Sequence, residues 1–209
     1  MEKQKIFEQI RGGLIVSCQA LEHEPLYTKE GGIMPLMAKA VAQSGAVGIR
    51  ANTVRDITQI KEVVDLPVIG IIKKDYEGTP MYITVTMKEV DALVACGVEI
   101  VAVQGTGSRR PDGSSAPEFI RAVKEKYPQQ LVMADCATIE EGSHVHRQEP
   151  ILWGLRCVAI HRRQRDVMIL IMHLSMNFLR NARQRSSQRD IFIIRNRQKK
   201  LWKREHSLW

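Results

Sequence analysis

The run Pro67-Val68-Ile69-Gly70-Ile71-Ile72 constrains this chain more than any other stretch, because it does not alternate. Its polar residues arrive together at the end, as Lys73-Lys74-Asp75. A strand with one face in water shows a polar residue at every second position. A strand covered on both faces reads as a continuous apolar run, and that situation belongs to parallel sheets clothed by helices. The expected architecture is therefore α/β. A lysine at the C-terminal end of such a strand has two readings. In a (β/α)₈ barrel the C-terminal strand ends converge on the reactive face, and Lys73 stands in an active site. In any other core strand it is a charged exit to solvent.

The pattern recurs. Gly13-Leu14-Ile15-Val16-Ser17-Cys18-Gln19, Ala46-Val47-Gly48-Ile49-Arg50, Glu99 to Gly105 and Gln130 to Cys136 read as four more buried strands. Between them lie helical apolar spacings over 32–44 (Ile33, Leu36, Met37, Ala40, Val41), 54–64 (Ile57, Ile60, Val64), 86–96 and 116–127. Another helix occupies 4–12, and a last one begins at Ile139-Glu140-Glu141. Gly45 and Gly97 stop two of these helices. Asn52 or Thr53, then Thr86 with Glu89 three residues on, then Thr138 are placed to cap N-termini. Five strand-then-helix units predict a wholly parallel sheet with right-handed crossovers. An open dinucleotide-binding sheet would need a G-x-G-x-x-G turn after its first strand, and none follows Gln19. Polar residues end the strands in turn: Gln19, Arg50, Lys73, Gln104 and Asp135. A barrel gathers these ends on one face, whereas an open sheet sets them in a row.

Composition divides the chain near Gly142. Residues 1–142 hold 16 Lys and Arg against 19 Asp and Glu, a net −3, and residues 143–209 hold 15 against 4, a net +11. The second part also carries all three Trp, five of the six His and one of the 14 Gly. The four cysteines (Cys18, Cys96, Cys136, Cys157) form no CxxC pair, which suits free thiols in a reducing cytoplasm. No apolar run approaches the roughly 18 residues of a membrane span, and the N-terminus is amphipathic, unlike a signal core. No metal-ligand cluster stands out.

The strand motifs ending in Gln19, Arg50 and Lys73, together with Ala134-Asp135-Cys136-Ala137-Thr138, resemble those of the N-acetylmannosamine-6-phosphate 2-epimerase family, in order and over about residues 10–142. The resemblance implies a (β/α)₈ TIM barrel that inverts C2 of N-acetylmannosamine 6-phosphate to give N-acetylglucosamine 6-phosphate in sialic-acid and amino-sugar catabolism. It implies no cofactor or metal and no nucleic-acid or membrane partner, and it leaves homo-oligomerisation open. A proton must leave a carbon beside a carbonyl-like group and return on the other face, which requires a base tuned toward neutrality. Lys73 matches the family's catalytic lysine, and burial or a neighbouring cation lowers such a pKa. Lys74 reads as a solvated neighbour. Gln19, Arg50 and Asp135 match substrate-binding positions. A rim ion pair between Arg50 and Asp135 is the other reading of those two residues. Gln104 stands where the family is expected to have an acid, and the turn Arg109-Arg110-Pro111 resembles a family loop or is merely solvated.

Beyond Gly142 the expected motifs stop, and the family's second catalytic glutamate is absent. Read back into codons and shifted to each codon's third base, Trp153 to His161 can encode Gly-Thr-Thr-Leu-Cys-Gly-Tyr-Thr, the family's sixth-strand motif. In the same frame Ser187 to Asp190 can encode Ala-Glu-Gly, which carries that glutamate. Residues 1–142 are thus expected to be native-like units 1–5 of the barrel domain, and 143–209 an out-of-frame tail replacing strands six to eight. The alternatives are an inactive barrel fragment, a basic-tailed binding protein without catalysis, and a different phosphosugar barrel. The tail's apolar runs, Val167 to Leu179 and Ile191 to Ile194, read as helical and strand-like respectively.

Overall fold

The computed structural model describes residues 3–148, 152–155 and 171–173. The chain divides into two compact units, Met1–Leu174 and Ser175–Trp209. Every element below belongs to the first, and the expected strand-like run Ile191 to Ile194 lies outside the described residues.

Strands β1 (Ile15–Cys18), β2 (Gly48–Asn52), β3 (Val68–Ile71), β4 (Ile100–Gln104), β5 (Leu131–Cys136) and β6 (Leu152–Leu155) lie side by side in chain order, each parallel to the next. A short β7 (Ile171–His173) pairs antiparallel with β6. Helices α2 (Ile33–Gln43), α3 (Val54–Lys61), α4 (Met87–Ala95) and α5 (Ala116–Lys126) alternate with β1 to β5, and α6 (Ile139–Gln148) leads from β5 to β6. Helix α1 (Lys3–Ile10) precedes them all.

Alternation sorts the strand residues into two cores. Ile49, Ala51, Val68, Val101, Val103, Val132 and Ala134 pack under the helices with Ile57, Ile60, Leu93 and Ile120. Ile15, Ile69, Ile71, Ile100, Ala102, Leu131 and Met133 form a second cluster on the opposite face, closed by Ile6, Phe7 and Ile10 of α1. The non-alternating sequence of β3 follows directly, since both of its faces are buried. Gly70 sits on the helix side because nothing larger fits there. A Cβ at that position would lie 2.8 Å from Val98 Cγ1 and 2.9 Å from Leu93 Cδ2.

The sheet is curled and not flat. Arg50 and Asp135 form a salt bridge although two whole strands separate β2 from β5. In a flat sheet those strands lie three spacings, roughly 14 Å, apart. In register Arg50 is level with Ile69, Ile100 and Leu131, so Asp135 is four residues further up its strand, another ~13 Å. Only a sheet that curves and shears, as barrel strands do, brings the two side chains together. The first units therefore build a partial barrel, with the face opposite α2 to α5 inward and α1 packed against it.

The helix expected from Ile139 is α6, which runs through Gly142, and β6 follows as a further parallel strand beside β5. The run Val167 to Leu179, expected to be helical, contains β7 at its described residues Ile171–His173. Pairing with β6 overrides the local helical spacing there.

Candidate functional site

Strand parity decides which polar residues share the inner face. Counting in twos from the apolar positions of the inner core gives Ser17 and Gln19 after Ile15, Lys73 after Ile71, Gln104 after Ala102, and Asp135 after Met133. Arg50 and Asn52 share the inward parity of β2. Ser17, Gln19, Asn52, Lys73, Gln104 and Asp135 sit at, beside or just beyond the C-terminal strand ends, whereas Arg50 is the middle residue of β2.

Arg50 and Asp135 are completely buried and bonded to each other through Nη2 and Oδ2. The pair is not saturated. Among the described residues Arg50 Nε and Nη1, Asp135 Oδ1, Ser17 Oγ and Gln19 Oε1 are buried without a hydrogen-bond partner. A buried polar atom left without a partner costs about 1–3 kcal/mol, so this cluster is configured to meet polar groups that the described residues do not supply. Its donors and acceptors suit hydroxyl and carbonyl oxygens of a polyhydroxylated ligand.

Lys73 follows directly on β3 and is half-buried. Its N–H donates to Asn52 Oδ1 at 2.9 Å. The next residues form a small hairpin that the sequence did not signal, with Lys73 opposite Ile83 and Tyr76 opposite Thr79. Two threonines beside the lysine take positive φ: Thr53 at 71°, whose N–H donates to Ile71 O at 3.1 Å, and Thr84 at 45°, whose N–H donates to Ile72 O at 2.8 Å. For β-branched residues such backbone is strained, and strain of this kind gathers where a site over-determines its geometry. Lys74 is exposed, its Nζ 5.2 Å from the Tyr76 ring centroid.

The neighbouring loops are tied down. Arg55 of α3 donates to Thr28 O at 2.7 Å and Lys29 O at 2.5 Å, and stacks over Tyr27, fastening the β1–α2 loop. The Arg109-Arg110 turn splits in two. Arg109 is exposed, whereas Arg110 is 3 % exposed, lies 4.1 Å over the Phe119 ring and donates to Gln104 O at 2.8 Å. Burial lowers the Arg110 pKa to about 10, opposed by nearby Asp112, and the guanidinium stays charged at neutral pH. Helices α4, α5 and α6 each begin on a capping box. Thr86 N–H meets Glu89 at 2.6 Å, Ser115 N–H meets Glu118 at 2.8 Å, and Thr138 N–H meets Glu141 at 3.1 Å. Among the described residues no cluster of three or more His, Cys, Asp or Glu is placed to hold a metal ion.

The family model described as "Putative N-acetylmannosamine-6-phosphate epimerase" (NanE) matches residues 34–152, more than half of the chain. The chain belongs to the N-acetylmannosamine-6-phosphate epimerase family. The match continues past Gly142 through α6 to the start of β6. Two curated relatives, each named "Putative N-acetylmannosamine-6-phosphate 2-epimerase", are those of Borreliella afzelii and Caldanaerobacter subterraneus subsp. tengcongensis. The first is 52% identical over 136 residues, 65% of this chain and 58% of the relative. The second is 53% identical over 137 residues, 66% of this chain and 57% of the relative. A solved structure of the N-acetylmannosamine-6-phosphate 2-epimerase from Clostridium perfringens is 44% identical and superposes with a TM-score of 0.63, covering 69% of this chain and 61% of that one. The chain therefore spans about three fifths of these relatives' lengths. Of the four positions singled out from the sequence, Arg50, Lys73 and Asp135 lie within the matched residues 34–152, and Gln19 precedes them. Arg50 and Asp135 meet directly, and Gln19 and Lys73 share their face. Ser17 is an addition of the folded chain, which also turns Asn52 toward the Lys73 amide and buries Arg110 against Phe119.

Proposed function

We propose that this chain carries the lysine-bearing part of an N-acetylmannosamine-6-phosphate 2-epimerase site. The observation that carries the reading is Lys73 at the end of β3, on the face where Arg50 and Asp135 pair and leave buried donors and an acceptor unmet. Lys73 removes the proton at C2 of the phosphosugar. Arg50 Nε and Nη1 hold an oxygen beside the reacting carbon, where negative charge develops. Asp135 and Gln19 hold hydroxyl or amide groups of the sugar. No step in this scheme draws on a metal or nucleotide.

Inversion needs a second group to deliver a proton to the opposite face. We assign that group to the glutamate encoded by the shifted frame, which residues 143–209 as written do not contain. The reaction is accordingly impaired in this chain, a cytoplasmic protein by its thiol usage. The test is turnover of N-acetylmannosamine 6-phosphate by the 209-residue chain beside a chain with the frame restored after Gly142, followed by NMR of the sugar's C2 proton in D₂O. The restored chain is expected to convert substrate, its Lys73→Met variant to lose conversion, and the 209-residue chain to exchange or convert little. Full conversion by the 209-residue chain would sink the frame argument, and none by the restored chain would sink the epimerase reading. The basic tail supports a second reading, a nucleic-acid binder. Binding to duplex DNA that weakens steeply with salt would favour it.

A further inference from the structure

The segment from Lys73 to Thr84 leaves β3 and returns to it. Its legs are stitched near the base: Lys74 N–H donates to Tyr82 O at 2.9 Å, Thr84 N–H to Ile72 O at 2.8 Å, and Ile72 N–H to Thr84 Oγ1 at 3.1 Å. The tip is tied to Glu89 through Tyr76 and to Arg109 O through Thr79. From β4, Gln104 holds the returning leg. Gln104 N–H donates to Ile83 O at 3.0 Å, and its Oε1 accepts from Tyr82 N–H at 3.0 Å and Ile83 N–H at 3.2 Å. Its Nε2 donates to Thr106 Oγ1 at 3.1 Å, which fixes the orientation of the carboxamide. The residue is 3 % exposed, and Ile83 beside it is fully buried in the inner core.

Gln104 thus grips the residue that faces Lys73 across the hairpin, while Asn52 grips the Lys73 N–H from the other side. Thr84, one residue from Ile83, is held at φ 45°, a conformation that persists only where its surroundings impose it. We propose that Gln104 is a positioning residue for Lys73, its carboxamide clasping the hairpin so that the lysine is presented to the inner face in one place. The inference rests on Lys73 being the reactive base, but its consequences for that amine can be measured without turnover.

The clasp needs an acceptor at Oε1. Gln104→Glu keeps one, whereas Gln104→Leu keeps the bulk and removes it. The experiment is competitive acetylation of the 209-residue chain with acetic anhydride across pH 6 to 11, resolved lysine by lysine by peptide mass spectrometry, with Lys39 and Lys61 as internal references. Gln104→Leu is expected to change the Lys73 rate, or to displace its pH profile, by about threefold or more, and Gln104→Glu, which keeps the acceptor but adds a carboxylate, to change it less and only toward a raised Lys73 pKa. An unchanged Lys73 profile in folded Gln104→Leu overturns the proposal, as does an equal change in both variants. Should Gln104→Leu not fold, hydrogen exchange on the unsubstituted chain decides. The amides of Tyr82 and Ile83 are expected to exchange together with that of Lys73, and exchange far faster than Lys73 overturns the clasp. Failure of turnover by the frame-restored chain, with the acetylation result intact, would count against the epimerase reading alone.

Discussion

Replacing Asp135 with alanine leaves Arg50 as a charge with no counterion in a fully buried position. Breaking a buried pair from one side costs about 3–5 kcal/mol, because the remaining ion keeps its desolvation penalty and loses its compensation. Arg50 has no slack with which to adapt, since Nε and Nη1 already lack partners among the described residues. A domain of this kind has only about 5–15 kcal/mol in hand. With a urea slope of about 2 kcal/mol per molar, the midpoint is expected to fall by about 2 M. Replacing both residues, Arg50→Met with Asp135→Leu, removes the buried charges and the unmet atoms together, and it should return stability close to the parent or above it. Urea titration followed by far-UV circular dichroism reads these changes; tryptophan fluorescence does not suit, because Trp153, Trp202 and Trp209 all lie outside β1 to β5. A loss below about 1 kcal/mol for Asp135→Ala, or a double variant no better than the single one, would refute the reasoning that the pair is dry and under-satisfied.

Three further outcomes are expected. Gly70→Ala forces a methyl against Val98 and Leu93 under the helices and should cost about 1–3 kcal/mol in the same titration. Glu89→Ala removes the acceptor of Thr86 N–H, Thr86 Oγ1 and Tyr76 OH, and should cost about 1–2 kcal/mol, with α4 losing amide protection first. Burial raises the Cys18 thiol to about 11 from 9.0. The unfolded chain therefore ionises this thiol first, so the contribution of Cys18 to stability is intact below pH 9 and lost as pH rises toward 11. Native Cys18 should also resist iodoacetamide at pH 8 while the part-exposed Cys96 reacts; equal labelling of the two would contradict that burial.

The strands were legible because their environment writes itself into them. Val68 to Ile71 is apolar without alternation since helices cover one face and the inner core the other. The caps at Thr86 and Thr138 were readable as short local motifs, and Ser115 with Glu118 is a third of the same form that the periodicity of α5 overshadowed. What was not legible depended on partners distant in the chain. The sequence cannot show that Asn52 turns to the Lys73 amide instead of capping α3, a role that falls to Thr53. Nor does it show that Arg110 folds onto Phe119 while Arg109 stays in solvent. The hairpin after Lys73 carries a turn glycine, Gly78 at φ 77°, yet the hold of β4 on its return leg through Gln104 could not be read locally.

The Arg50–Asp135 bridge ties the curvature of the sheet to the state of the site. Flattening the strands between β2 and β5 would pull the two side chains apart, so the sheet cannot relax without dismantling the cluster. A molecule that satisfies the unmet atoms of that cluster acts as a brace on the whole arch. Its binding energy appears as resistance to unfolding, growing with concentration as mass action requires. The melting temperature of the chain is thus a readout of occupancy even where no reaction can be followed.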